Sequence, residues 1–229
     1  MKSMMNNSVG SLIGVIETVP AFSYSVYGEN MYEFQLRVER LSGTNDRIPV
    51  ILSDRIQNLD ETCLGKMIEI DGQIRSWNVT ENGRHRHRVM FFVKKYEEIP
   101  EEVVLLHDNW MKLDGFLCKP PIYRLTPYGR EVTDLMLAVN RAYKKTDYIP
   151  CIVWGRNARW AEKLEPGTKI EVEGRFQSRE YLKHISEEET ETRTAYELSV
   201  SRIRVMDETD TFTKQQRMNA NHLDSESVR

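Results

Sequence analysis

Thr146-Asp-Tyr-Ile-Pro-Cys-Ile-Val-Trp-Gly155 reads as a β-strand whose two faces do different jobs. With a period of two, Ile149, Cys151 and Val153 point one way, and Tyr148, Ile152 and Trp154 point the other. The first set suits a barrel interior. The second sets a tyrosine and a tryptophan on one surface, next to the basic stretch Arg141-Ala-Tyr-Lys-Lys145. Flat aromatics beside cations are what single-stranded nucleic acid requires, because bases stack and phosphates need neutralising. Strand parity alone leaves a second reading open, in which Tyr148 and Trp154 belong to another core layer.

Working outward, the same pattern occurs twice. Asp46-Arg-Ile-Pro-Val50 resembles Asp147-Tyr-Ile-Pro-Cys151, and Gly65–Ser76 resembles Gly167–Ser178. Leu12-Ile-Gly14 answers Leu113-Asp-Gly115, and Phe34–Val38 answers Leu135–Val139, at an offset near 101 residues. A period this long is a domain duplication and not a solenoid. Each copy predicts three strands, a short helix and two more strands. In the second copy the strands fall near 110–119, 131–140, 147–154, 168–179 and 194–206, with a helix over 157–164. In the first they fall near 9–19, 31–40, 47–53, 66–77 and 87–97, with a helix near 55–62. Pro49 and Pro150 lie inside the third strand of each copy, which implies a bulge or an unpaired edge there. The fold class is all-β: two tandem five-stranded OB-fold barrels, each with a short helix between strands three and four. The expected organisation is an N-terminal barrel over 1–98, a linker over 99–108, a C-terminal barrel over 109–206 and a flexible tail over 207–229.

The net charge of −3 hides a division along the chain. Residues 1–108 carry −4, residues 109–206 carry +3 and residues 207–229 carry −2. Glu187, Glu188, Glu189 and Glu191 account for four of the second segment's acids, so the rest of that segment is distinctly basic, and local charge governs phosphate attraction. Cys63, Cys118 and Cys151 have no metal-ligand spacing and read as small hydrophobes in a reducing compartment. Neither an apolar run of membrane-spanning length nor a signal-peptide pattern is present, so the expectation is a cytoplasmic, nucleoid-associated protein. The five histidines, His85, His87, His107, His184 and His222, form no nucleophile or zinc-protease setting. The expectation is a non-enzymatic protein with no metal and no cofactor.

Leu137–Tyr143, Thr146–Gly155, Trp160–Leu164 and Gly167–Tyr181 together resemble the bacterial single-stranded DNA-binding protein family, in that family's order and spacing. The resemblance spans roughly 109–206. It implies base stacking on Tyr143, Tyr148, Trp154 and Tyr181, with phosphate contacts from Arg141, Lys144, Lys145, Arg156, Arg175, Arg179 and Lys183. Each of these cations is equally readable as a solvated charge. The first copy departs from the pattern: Arg47 stands at the Tyr148 position and Ser53 at the Trp154 position. Its nearest substitutes are Trp77 and Tyr32, and the basic hairpin Arg84-His-Arg-His-Arg88 offers auxiliary contacts through Arg84 and Arg86. The first barrel is thus expected to be a scaffold or assembly surface. The resemblance would bring an acidic tip with a terminal hydrophobic pair, which His222-Leu-Asp-Ser-Glu-Ser-Val-Arg229 does not match, so recruitment of partners by that route is not expected.

The function implied is largely sequence-independent binding of single-stranded DNA in replication, recombination or repair. A homodimer would give four OB-folds, and replication or repair proteins are possible partners. The alternative is an OB-fold interaction module of a replication, primosome or mobile-element complex that binds DNA weakly.

Overall fold

The computed structural model describes residues 7–81, 83–100, 108–184 and 190–206. The expected linker, the acidic run 186–191 and the tail fall wholly or largely outside the described residues, as do the side chains of Glu81, Arg84 and His184. The first half is built from β1 (Ser8–Ile16), β2 (Ala21–Val26), β3 (Glu29–Glu39), β4 (Asn45–Ser53), β5 (Met67–Glu81) and β6 (Arg84–Glu98). The second half has β7 (Asn109–Leu117), β8 (Ile122–Leu125), β9 (Glu131–Arg141), β10 (Lys145–Trp154), α1 (Arg156–Ala161), β11 (Lys169–His184) and β12 (Thr190–Val205).

Each half closes on itself. In the first, β1 pairs with both β5 and β3, and β4 runs parallel to β6 at Val50 and Phe91. In the second, β7 pairs with both β11 and β9, and β10 runs parallel to β12 at Cys151 and Leu198. This is the OB-fold plan in duplicate. Two short edge strands, β2 and β8, are additions that the alternation pattern does not reveal. Ala21–Val26 is exposed along nearly its whole length, and β8 is only four residues long. Neither carries the buried–exposed alternation that marks a strand.

The expected helix near 55–62 is reduced to one 3-10 turn, Glu61–Cys63. Asp60 accounts for this. Its carboxylate accepts the Thr62 N–H at 2.8 Å, so the turn cannot begin earlier, and Gly65, at φ 84°, ends it. The equivalent α1 buries Ala158 and Ala161. The prolines are paired on one side, Pro49 opposite Gln35 and Pro150 opposite Met136, and unpaired on the other, where pairing of β4 to β6 starts at Val50 and pairing of β10 to β12 starts at Cys151. In both barrels the fourth strand carries a bulge, between Asp71 and Gly72 and between Glu173 and Gly174. A Cβ at Gly174 would lie 2.1 Å from the Ser199 carbonyl oxygen, so only glycine lets the strand bend there.

Ile149, Cys151 and Val153 are buried in the interior, and the residues filling the two barrels join in one hydrophobic cluster, apart from a smaller one on the first barrel. The barrels meet through an antiparallel ladder between β1 and β7, running from Ser8↔Leu113 to Leu12↔Asn109. Its central pair, Gly10↔Met111, joins residues that are 101 positions apart, the repeat offset itself. The two halves are therefore related by a pseudo-twofold axis through that pair.

Two buried carboxylates repeat the symmetry. Asp147 accepts the Ser76 N–H at 2.8 Å and an Arg75 Nη1 hydrogen at 3.1 Å, with Arg141 Nε at 3.5 Å. Asp46 accepts the Ser178 N–H at 2.8 Å and is gripped by Arg40 Nε at 2.7 Å, with Arg175 Nε at 3.7 Å. Each aspartate is fully buried, and each takes a backbone N–H and a guanidinium from the opposite barrel.

Candidate nucleic-acid interface

The outer face of the second barrel is spread over β9, β10, β12 and β11. On β10, Tyr148 and Trp154 are 46% and 37% exposed, while Ile152 between them is buried. The second-core-layer reading is therefore wrong for both aromatics. Trp154 Nε1 donates to Ser199 Oγ at 3.1 Å, which fixes the indole while leaving its face open. Tyr181, 38% exposed, emerges from β11 with the Arg179 guanidinium 5.7 Å from its ring centre. Tyr143 sits apart on the turn between β9 and β10 and is 91% exposed. It holds φ 61°, and Lys144 holds φ 55°, two consecutive left-handed non-glycine residues. Such strained turns are found more often at working surfaces than elsewhere.

The seven predicted phosphate partners separate into two groups and one intermediate case. Lys144, Lys145, Arg156 and Lys183 are exposed and carry no ion pair among the described residues. Arg141 and Arg175 are instead held at the barrel junction by Asp147 and Asp46. Burial lowers the pKa of Arg175, with Arg40 nearby adding to the effect. Arg179 is intermediate: it donates to Glu197 at 3.2 Å and still covers Tyr181. Glu197, buried in the middle of this face and bonded to Gln177 at 2.9 Å, is an acid that the sequence pattern did not single out.

The first barrel's corresponding face is closed. Ile74 pairs with Phe91 and Phe176 with Leu198, which aligns the two hairpins residue by residue. On that alignment Met31, Ile51, Met90, Trp77 and Phe92 stand where the second barrel has Val132, Ile152, Glu197, Arg179 and Ser199. The first five form a compact apolar cluster of their own, with Met31, Ile51 and Met90 fully buried. Trp77 is packed into it beneath the Arg88 guanidinium at 5.9 Å, and Tyr32 meets Phe22 edge-on. Arg86, on β6, lines a cleft of about 520 Å³ between the barrels, together with His85, His87, Arg88, Tyr181, Arg193 and Tyr196. Sequence reading found the basic hairpin but not that it lies against the second barrel.

A model of the Single-strand binding protein family matches residues 108–206. The second barrel is similar to that family. The chain is 39% identical over 80 residues to single-stranded DNA-binding protein 2 of Listeria innocua, covering 32% of this chain and 50% of the relative. It is likewise 39% identical over 80 residues to single-stranded DNA-binding protein A of Bacillus subtilis, covering 32% and 46%. The chain thus spans about half the length of the curated relatives it matches. The tandem fold has its own counterpart. The wild-type single-stranded DNA binding protein from Thermus aquaticus superposes with a TM-score of 0.67 at 22% identity, over 88% of this chain and 93% of that one. A deletion variant of the same protein gives 0.66 at 23% identity, over 91% and 97%. At those identities the likeness concerns the fold: two OB-fold barrels in one chain.

Among the described residues no helix is long and apolar enough to cross a membrane, and no group of three His, Cys, Asp or Glu is placed to hold a metal ion.

Proposed function

We propose that the chain binds single-stranded DNA, with little sequence preference, on the outer face of its second barrel. The observation that carries this reading is the pair Tyr148 and Trp154. They are exposed on one face of a strand whose opposite residues Asp147, Ile149, Cys151 and Val153 are buried, with Lys144 and Lys145, which carry no ion pair among the described residues, at the strand's entry. Bases stack on Tyr148, Trp154, Tyr181 and Tyr143. Lys144, Lys145, Arg156 and Lys183 supply the phosphate contacts, and Arg179 does so once released from Glu197. Arg141 and Arg175 act from the junction as field rather than as direct contacts. The mechanism is non-covalent, and the role it fits is protection of single strands in replication, recombination or repair in the cytoplasm. The first barrel, its face sealed by Trp77 and its neighbours, serves as scaffold, and a homodimer would present four barrels.

A second reading, a protein-docking module, draws on one observation. The edge strand β2 exposes Phe22, Tyr24 and Val26. The test is intrinsic tryptophan fluorescence during titration with poly(dT) at two salt concentrations, comparing wild type with Trp154→Ala. Quenching that the substitution weakens in a folded protein supports stacking. Absence of binding leaves the docking module.

A further inference from the structure

Tyr148 is held by residues of the other barrel through both its backbone N–H and its backbone carbonyl. Its N–H donates to Ser76 Oγ at 2.7 Å. Its carbonyl oxygen lies 2.7 Å from His87 Nε2, and since a carbonyl only accepts, that nitrogen carries the proton and donates. Ser76 lies on β5 and His87 on β6, both in the first barrel. Each is itself anchored. Ser76 donates its N–H to Asp147, and the Asn78 side-chain amide lies 3.1 Å from His87 Nδ1 across the β5–β6 ladder; with the proton on Nε2, Nδ1 accepts from that amide's NH2 group turned toward the ring. These bonds occur where β10 has no other partner on that side, because its pairing with β12 covers only Cys151–Val153.

The pseudo-twofold supplies an internal comparison. On the opposite side, Arg47 stands in place of Tyr148, and its N–H donates to Ser178 Oγ at 3.0 Å. The second hook is missing there. The hairpin alignment puts Thr194 at the position of His87, and Thr194 makes no side-chain bond to Arg47. The serine bond is thus common to both sides, whereas the histidine accompanies only the copy that carries the aromatic.

We infer that Ser76 and His87 are positioning residues for the Tyr148 stacking platform, so that the first barrel forms part of the second barrel's binding site. This rests on the stacking reading above. An immobilised backbone removes ordering cost from each base that stacks, and the benefit appears as affinity. Loss of one such hydrogen bond corresponds to roughly three- to tenfold in binding.

The experiment uses the full chain. Fluorescein-labelled oligo(dT) is titrated against wild type, His87→Leu and His87→Gln, each also in a Tyr148→Ala background, and amide hydrogen exchange at Tyr148 is followed by NMR. The expected result is about three- to tenfold weaker binding for His87→Leu, recovery in His87→Gln because its amide can still donate, and no further loss once Tyr148 is alanine. Undiminished binding by His87→Leu, or an equal loss in the Tyr148→Ala background, would overturn the inference; the latter would mean direct contact between His87 and DNA. If the wild type binds no oligo(dT), the stacking reading fails. Exchange then decides the clamp separately: faster exchange at Tyr148 in His87→Leu but not in His87→Gln upholds it, and unchanged exchange sinks it.

Discussion

Replacing Asp147 by alanine removes a fully buried carboxylate on which both barrels depend. Three groups lose their partner at once: the Ser76 N–H at 2.8 Å, Arg75 Nη1 at 3.1 Å and Arg141 Nε at 3.5 Å. Arg141 Nε is buried and has no hydrogen bond, so the ionic contact with Asp147 is what compensates it. Burial lowers the pKa of Arg75, and the Asp147 hydrogen bond works against that shift. A buried ion pair broken from one side costs about 3–5 kcal/mol, because the remaining charge is uncompensated. That is a large share of a domain's stability of about 5–15 kcal/mol. Asp147→Asn keeps Oδ1 for the Ser76 N–H but sets an NH2 where Oδ2 accepted from Arg75 and faced Arg141, so relative to alanine it spares only the Ser76 bond, worth about 0.5–1.5 kcal/mol. The assay is equilibrium urea denaturation by tryptophan fluorescence and far-UV circular dichroism. A fall in midpoint at constant slope measures stability, and a change of slope shows that the barrels have begun to unfold separately. A loss below about 1 kcal/mol for Asp147→Ala, or an asparagine variant as damaged as the alanine one, would refute the reasoning.

Trp154→Ala should weaken poly(dT) binding by about 1–3 kcal/mol while the melting temperature stays near wild type; a large thermal shift would mean the indole is structural. Of the three cysteines, only Cys118 is exposed, and burial raises the pKa of the Cys151 thiol, so a chromogenic disulfide reagent should modify one thiol quickly in the native protein and three after denaturation. Glu131 is held below its ordinary pKa of 4.5, first by Arg159 and then by Tyr123. A lowered folded-state value gives stability that is present above the unfolded pKa and lost as the pH falls through the folded one. The difference in melting temperature between wild type and Glu131→Gln should therefore be present at pH 6 and shrink on acidification below 4.5. Gly174→Ala must displace the Ser199 carbonyl and should destabilise by more than the roughly 1 kcal/mol typical of a point mutation, which a urea melt would show.

Both barrels were legible because each strand that spans core and solvent writes its period into the sequence. Ile149, Cys151 and Val153 against Tyr148 and Trp154 is the plainest instance, and the repeat extended it to the less regular first copy. The edge strands escaped because Ala21–Val26 has no buried side and hence no alternation. The first-copy helix failed on a local competition, in which the Asp60 side chain took the N–H that a longer helix would have used. Three of the four stacking candidates were found to share the second barrel's outer face, with Tyr143 on the adjoining turn. Arg141 and Arg175 could not be told from free cations: Asp147 lies only two register places from Arg141 across the β9–β10 turn, but strand parity does not show the two side chains meeting, and Asp46, the partner of Arg175, lies in the other half of the chain. For the same reason the contact of His87 with Tyr148 was invisible. Sixty-one positions separate the two residues, and only the docking of one hairpin on the other barrel joins them.

The Gly10–Met111 pair has a genetic consequence. Where two identical chains meet across a true twofold, a residue on the axis faces itself, and any substitution is made twice in the same place. A knob there must meet a knob, a hollow a hollow. Here a side chain on Gly10 would run into the sulfur of Met111 at 2.1 Å, so one half supplies the hollow and the other the knob. Joining the copies in one gene makes that arrangement heritable. It also lets each half accumulate changes that its twin does not share: an aromatic platform and its histidine on one side, an apolar seal on the other.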